Sequence, residues 1–184
     1  KAMATKINAV SGTTGVTATA ETFALLESSD ASATTYTIKI NDTSTASFSI
    51  SSSDPSGAVA AVNAISTSTG VTASATSASK VLLHDADGDD ITVENTDSDT
   101  GLSVTALQLD ANTAQGSAIS LAATGGNDAT RGIGTVRLSS SATFSVTQAG
   151  TSSQGYFTTG DATLSALSAA SVTTTANATN AITI

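Results

Sequence analysis

Residues 5–18 read TKINAVSGTTGVTA and residues 61–73 read AVNAISTSTGVTA, so one pattern occurs twice in the chain. The aligned pairs, at an offset of 55 positions, are Ile7 with Val62, Asn8 with Asn63, Gly15 with Gly70 and Val16 with Val71. An internal repeat at a fixed offset usually means that one supersecondary unit is used twice.

The apolar spacing of each copy predicts a short helix followed by a β-ribbon. Before Asn63, apolar residues recur every three to four positions, which is the period of an amphipathic helix. Asp54 and Pro55 precede this stretch, and both residue types are favoured at a helix start. In each copy a glycine follows a Ser/Thr cluster, where a helix would end, and alternating apolar residues then indicate a half-buried strand. We therefore expect Ile7 and Val62 to be buried on equivalent helix faces.

This pattern resembles the IN motif in the variable outer parts of bacterial flagellins, a motif that also occurs in the filament-cap protein. The residues that carry the resemblance are Ile7, Asn8, Gly15 and Val16 in the first copy, and Val62, Asn63, Gly70 and Val71 in the second. Residues 164–167 and 171–182 are similar to the segment where a flagellin re-enters its C-terminal helical core. That second similarity favours the filament subunit over the cap protein.

The resemblance implies a structural protein of the bacterial flagellum, which is located outside the cell and serves motility. The exposed face of this segment would be an antigenic surface. It implies no catalysis, no cofactor and no metal. The partners would be other flagellin subunits, bound through helical parts that precede and follow this segment. We expect the segment itself to be a soluble monomer that ends where the helical core begins. The resemblance also allows O-glycans on exposed Ser and Thr residues without selecting positions.

Composition sets further limits on the function. Ser and Thr supply 63 of 184 residues, and only four Phe and two Tyr are present, which predicts a thin aliphatic core. Deep ligand cavities usually need apolar and aromatic walls. The net charge of −9 argues against nucleic-acid binding and against an anionic membrane surface. The chain has no Cys and no apolar run long enough to span a membrane, and its first residues are not expected to act as a signal peptide.

The predicted fold class is α+β and mostly β, with four consecutive segments. Residues 1–53 and 54–105 each form a helix-plus-ribbon unit, residues 106–160 form a β-rich segment that packs on one of them, and residues 161–184 return toward the helical core. Whether residues 106–160 fold with the second unit or complete the first is left open by the sequence.

Several strands and turns are predicted within these segments. Alternating apolar residues over residues 36–50 predict a meander of at least three strands. Leu25 and Leu26 are aligned with Leu82 and Leu83 as a continuation of the repeat. The Asp-Gly pair within residues 84–90 predicts a hairpin between the strands at residues 81–83 and 91–93. Residues 144–146 are predicted to lie in a further strand, and the composition from residue 161 onward predicts helix.

The acidic run is the strongest candidate for chemistry. Its members are Asp85, Asp87, Asp89, Asp90, Glu94, Asp97 and Asp99. Asp at the first, third and fifth positions imitates an EF-hand loop, but Asp90 stands where Gly is required and Thr96 where a bidentate Glu belongs. We interpret the run as a solvated turn that keeps the sheet edge from pairing, with a weak Ca²⁺ contact as the alternative.

The remaining polar candidates favour structural roles. No Ser lies in a nucleophile elbow that could supply a catalytic partner for His84. The stretch Gly132-Ile133-Gly134 lacks the third Gly of a dinucleotide-binding loop. Glu21 and Glu27 are expected on one solvated side of a ribbon. Asn8 and Asn63 are expected to bond backbone groups near a helix end. The sequons at Asn41 and Asn177 are common by chance in a chain this rich in Ser and Thr.

Two other classes of function remain as alternatives. One is a carbohydrate-binding or adhesin-type module of a surface protein, in which Tyr156 and Phe157 would stack on a sugar ring. The other is an enzyme that uses a metal held by the acidic run of residues 85–99.

Overall fold

The computed structural model describes residues 1–76 and 80–146, together with the backbone of Ile182–Thr183. The chain divides into two compact units. Unit 1 consists of Ala20–Thr135 together with Lys1, and unit 2 combines Ala2–Thr19 with Val136–Ile184.

The predicted α+β, mostly β class with antiparallel sheets is confirmed. The helices are α1 (Ala2–Asn8), α2 (Ser11–Thr14), α3 (Ser56–Ala64) and α4 (Ser66–Thr69). The strands are β1 (Val16–Ser28), β2 (Thr34–Tyr36), β3 (Ile38–Ile40), β4 (Thr43–Ser44), β5 (Phe48–Ile50), β6 (Val71–Ala75), β7 (Val81–Asp85), β8 (Ile91–Asn95), β9 (Leu102–Leu107), β10 (Ile119–Ser120), β11 (Ala129–Gly132), β12 (Thr135–Ser140) and β13 (Ile182–Thr183).

The main sheet of unit 1 is antiparallel and has the order β10-β9-β1-β7-β6. Side chains alternate strictly between buried and half-buried along β1 from Ala20 to Ser28, as expected for a strand that packs one face on the core. The buried face of β1 carries Ala24 and Leu26, and that of β7 carries Val81 and Leu83.

A second sheet of unit 1 has the order β11-β8-β3-β4, and β2 pairs with β5 in a separate ribbon. Their inward side chains are large and fully buried, including Tyr36, Ile38, Ile40 and Ile91. Helix α3 packs against β5 and β6. Gly57 allows this contact, because a Cβ at that position would lie 2.2 Å from the backbone oxygen of Ser49.

Helix α3 begins at Ser56, directly after the predicted Asp-Pro start signal. The Asp54 carboxylate accepts a hydrogen bond from the Ser56 N–H at 3.0 Å, so it supplies a partner for one of the free N–H groups of the first turn. Val62 is completely buried, together with Ala58 and Ala61 on the same helix face.

The strand pairing differs from the predicted hairpin and meander. β7 pairs with β1 and β6, whereas β8 pairs with β3 and β11, so residues 86–90 connect two sheets and close no hairpin. The buried Asp85 carboxylate redirects the chain here, because it accepts hydrogen bonds from the N–H groups of Asp87 and Asp89. The predicted meander is likewise divided, since β2 and β5 form one ribbon while β3 joins β8.

The predicted alignment of Leu25 with Leu82 is also wrong. The two residues are cross-strand partners in neighbouring strands β1 and β7. The second copy folds back after β6 into the β6–β7 pair, whereas the first copy continues in the same direction as the 13-residue strand β1. Residues 143–146 lie in irregular structure instead of the predicted strand.

The predicted segment boundaries do not coincide with the two units. β1 and β3 from residues 1–53 pair with β7 and β8 from residues 54–105, which places both segments in the same sheets of unit 1. The residues from 161 onward, for which helix is predicted, lie outside the described residues apart from Ile182–Thr183. These two residues form strand β13, which pairs with β12.

The environment of Tyr36 predicts how the stability of unit 1 changes at alkaline pH. Its hydroxyl donates to the Asp30 carboxylate at 2.6 Å and its side chain is fully buried. Burial, and then the bond to Asp30, raise the pKa of the Tyr36 hydroxyl well above that of an exposed tyrosine. Because the unfolded state loses this proton first, stability is retained below pH about 10 and falls at higher pH, by at most about 1.4 kcal/mol per pH unit.

Thermal melts between pH 8 and pH 11 measure this loss. Tyr36→Phe is the control, because it removes the titrating hydroxyl and keeps the ring. We expect the variant to be less stable at pH 8 and to show a shallower decline above pH 10. An identical decline in both proteins would contradict the assignment.

Candidate functional site: two asparagine clamps

The motif asparagine of the second copy fastens helix α3 to strand β6. The Asn63 Nδ2 donates to the Ala73 carbonyl at 2.8 Å, and the Ala73 N–H donates to the Asn63 Oδ1 at 2.8 Å. One amide therefore satisfies both backbone groups of one strand residue, as a residue in a neighbouring strand would. We call this pair of hydrogen bonds the asparagine clamp.

The first copy contains the same clamp. The Asn8 Nδ2 donates to the Ala18 carbonyl at 2.8 Å, and the Ala18 N–H donates to the Asn8 Oδ1 at 2.7 Å. The two clamps have the same atoms, the same direction and the same ten-residue separation. The repeat in the sequence is thus a repeat of geometry.

The connection between helix and strand is built identically in both copies. In the second copy, the Ser66 hydroxyl donates to the Asn63 carbonyl at 2.8 Å, and the Val71 N–H donates to the Thr69 hydroxyl at 3.2 Å. Gly70 ends the short helix α4 in the left-handed conformation with φ of 76°. In the first copy, Ser11 donates to Asn8 at 2.8 Å, Val16 donates to Thr14 at 3.2 Å, and Gly15 has φ of 67°. The Ser/Thr cluster, where the sequence predicts that a helix ends, therefore forms a short second helix in each copy.

The first copy is completed by a strand from far along the chain. In the second copy the Thr72 hydroxyl donates to the His84 carbonyl of β7 at 3.3 Å. The equivalent Thr17 donates to the Ser139 carbonyl of β12 at 3.2 Å. β12 thus occupies in the first copy the place that β7 occupies in the second.

The turns that follow these two strands support this correspondence. Asp85 ends β7, and its Oδ1 accepts from the N–H two residues later at 3.0 Å. Ser140 ends β12, and its Oγ accepts from the N–H of Ala142, also two residues later, at 3.2 Å. The first copy is therefore discontinuous, and Ala20–Thr135 lie between its two parts in the chain.

The two copies differ in burial. Val62 is fully buried, whereas the equivalent Ile7 is half-buried, so the burial expected for both residues is found only in the second copy. At the clamps, the first copy is the more buried of the two. Ala18 is buried at 5% exposure, whereas Ala73 is half-buried and its hydrogen bonds to Asn63 lie at the surface.

The acidic run is distributed over separate ion pairs and hydrogen bonds. Asp87 and Asp89 contact the Lys1 Nζ at 3.1 and 2.9 Å, and Asp90 lies 3.6 Å from Arg131. Asp85 is buried and bonds backbone N–H groups, as described above.

The later members of the run serve other contacts. Glu94 pairs with Lys39 at 2.9 Å, and the Asp97 carboxylate accepts from the Thr37 N–H at 3.1 Å. Asp99 contributes its backbone carbonyl, which accepts from Asn95 at 2.8 Å. Within residues 1–76 and 80–146, no three acidic or histidine side chains form a group suited to a metal ion.

His84 lies on the outer face of the main sheet of unit 1. Its ring stacks on Phe23, with centroids 4.3 Å apart and planes 5° apart, and its Nε2 is 3.2 Å from the Glu21 carboxylate. Glu27 pairs instead with Lys80 at 2.6 Å. The two glutamates therefore have different partners and do not form a carboxylate pair.

The other predicted positions divide between described and undescribed parts of the chain. Gly132 ends β11, Ile133 is exposed, and Gly134 leads into β12, so this stretch joins two strands. Tyr156, Phe157 and the Asn177 sequon lie outside the described residues.

Two asparagines whose structural roles were not predicted hold the loops of unit 1. The Asn41 amide donates to the Thr69 carbonyl at 3.2 Å and accepts from the Thr92 N–H at 2.8 Å, so this sequon residue is engaged in internal hydrogen bonds. Asn95 is completely buried; it donates to the carbonyls of Asp99 and Ala122 at 2.8 and 2.9 Å and accepts from the Asp97 N–H at 3.1 Å. A signal was present at Asn95, since it occupies an inward position of an alternating strand.

No helix in the described part of the chain is both long enough and apolar enough to cross a membrane. No protein-family model matches the chain, and a search of curated proteins finds no match.

Proposed function

We propose that this chain is the surface-exposed outer portion of a flagellin, a structural subunit of the bacterial flagellar filament. The observation that carries the proposal is the pair of asparagine clamps. The residues that resemble the flagellin motif are the same residues that build the helix, the left-handed glycine and the clamp in both copies.

The arrangement suits a mechanical support. Each clamp joins a helix to a strand through two hydrogen bonds, and such bonds stabilise a fold by about 1 kcal/mol each. The excess of acidic residues gives a net charge of −9, which favours solubility and opposes close association of like surfaces. In a filament, such a surface would face water and be accessible to antibodies.

Antibody labelling tests the proposal. Antibodies raised against the purified 184-residue chain should decorate flagellar filaments of the source bacterium along their whole length in immunogold electron microscopy. Labelling only at the filament tip would indicate the cap protein instead. Labelling of the cell surface without filaments would support the adhesin-type alternative and contradict the flagellin proposal.

A further inference from the structure

The two sheets of unit 1 end at different positions on one side. Strand β11 is the last strand of the second sheet and, among the described strands, pairs only with β8. It packs on β9 of the main sheet, since a Cβ added at Gly132 would lie 3.9 Å from the Cβ of Ala106. The main sheet continues past β9 to β10. No described strand of the second sheet therefore covers β10.

Ile119 on β10 shows the consequence. It is the cross-strand partner of Val104, so both side chains point to the inner face of the main sheet. Val104 is 2% exposed, whereas Ile119 is 48% exposed. The two side chains line one wall of a groove of about 210 Å³, and Thr130, Arg131 and Gly132 line the other. Within the part of the chain that the structure describes, an inner-face apolar side chain thus lacks a covering strand.

The outer edge of β11 presents backbone groups that suit an added strand. The Asn95 N–H donates to the Asp128 carbonyl at 2.7 Å, so Asp128 faces β8. Because alternate residues of an antiparallel strand face its partner, Ala129 and Arg131 direct their N–H and C=O groups away from β8. No described residue bonds these groups, and both residues are exposed. An extended peptide that adds to such an edge gains main-chain hydrogen bonds, and pockets for alternate side chains give specificity.

We propose that β11 and the groove bind an extended strand of another protein, in which one acidic residue lies between two apolar residues. Antiparallel addition places the acidic residue opposite Arg131, whose side chain is 63% exposed and lies 3.6 Å from Asp90. The two flanking residues lie opposite Thr130 and Gly132 and point inward, over Ile119.

A second copy of this chain fits the groove less well. A two-fold pair of β11 strands would present only the small side chain of Thr130 and the hydrogen of Gly132 to Ile119. It would also join two chains that each have a net charge of −9. The inference of a partner strand does not depend on the flagellin proposal.

Titration of the isotope-labelled chain with synthetic peptides, followed by nuclear magnetic resonance, tests the proposal. The probe is the peptide Thr-Thr-Val-Glu-Val-Thr-Thr with blocked ends. We expect saturable shifts at Ala129, Arg131 and Ile119, together with slower amide exchange at Ala129 and Arg131. The same peptide N-methylated at its glutamate lacks the donor that faces Arg131 and should not bind.

Matched variants separate the two parts of the site. Ile119→Ser should weaken peptide binding about tenfold, because the burial of an aliphatic side chain is lost. Val10→Ser removes an exposed apolar side chain outside the groove and should bind like the unaltered chain. Arg131→Glu should weaken binding of this peptide and favour one with lysine in place of glutamate. All three positions are exposed, so we expect the variants to keep the fold.

Each of the following results would overturn the proposal. The absence of saturable shifts at millimolar peptide would mean that β11 does not accept a strand. Equal binding of the N-methylated peptide, or undiminished binding by Ile119→Ser, would place the contact elsewhere. Dimerisation of the unaltered chain with protection of the Ala129 and Arg131 amides would identify a second copy as the occupant.

Discussion

Replacing Val62 with Asp is expected to lower the free energy of unfolding of unit 1 by on the order of 4 kcal/mol, since a buried unpaired charge costs about that much. Val62 is fully buried on α3, which packs against β5 and β6. No cation lies on the buried face of α3, whose other buried members are Ala58 and Ala61.

The equivalent change in the first copy should be milder. Ile7 is half-buried, so water can solvate a carboxylate there, and we expect Ile7→Asp to cost about 1–2 kcal/mol. Val62→Ala is the control for lost packing and should cost about 2 kcal/mol. Urea unfolding followed by circular dichroism measures all three variants. Equal costs for Val62→Asp and Ile7→Asp would mean that the two helices are docked to the same extent.

Replacing Asn95 is expected to have the next largest effect. Its buried amide makes three hydrogen bonds, to Asp97, Asp99 and Ala122, and joins the end of β8 to two loops. Asn95→Ala leaves two carbonyls and one N–H without this partner, which should cost about 3 kcal/mol at about 1 kcal/mol per bond.

Asn95→Asp separates hydrogen bonding from packing. The carboxylate keeps nearly the same shape and still accepts from the Asp97 N–H, but it cannot donate to the two carbonyls. We expect its cost to equal or exceed that of Asn95→Ala at pH 7 and to diminish as the carboxyl becomes protonated at low pH. Asn112→Asp, at an exposed position, is the matched control and should be nearly neutral. A stable Asn95→Asp variant at pH 7 would contradict the role of the amide as a donor.

Local structure in this protein could be predicted from the sequence because it is encoded by adjacent residues. The repeat around Asn8 and Asn63, the glycine that ends each short helix, and the alternation in β7 and β8 all depend on short spacings. Even the bonding of the asparagines to backbone groups was foreseeable in outline. Their partner, a strand residue ten positions ahead, was not.

Long-range pairing could not be predicted, since many strands of this chain have the same simple alternation. β12 completes the first copy after more than a hundred intervening residues. β9 and β12 are both neighbours of β1, and nothing in their sequences indicates which part of β1 each strand joins. The Asp-Gly turn between β7 and β8 has the residues of a hairpin, yet the buried Asp85 carboxylate directs the chain into another sheet. The outcome there depends on burial, which the local sequence does not specify.

The acidic run was predictable in composition but not in arrangement. The acidic run has carboxylates at the spacing of a cation loop, but Lys1, Lys39 and Arg131 from distant positions pair with several of them. Ion pairs of this kind form between residues that only the tertiary fold brings together. The same holds for the contact between His84 and Phe23.

Amide hydrogen exchange at Ala18 and Ala73, measured by nuclear magnetic resonance, tests most directly whether the repeated asparagines act as clamps. Both N–H groups donate to an asparagine Oδ1, at 2.7 and 2.8 Å, and not to a neighbouring strand. The clamp predicts that both amides are protected relative to the exposed Ala75, that Asn63→Ala removes protection at Ala73 alone, and that Asn8→Ala removes it at Ala18 alone. Exchange of Ala18 and Ala73 as fast as that of Ala75 in the unaltered chain would contradict the account.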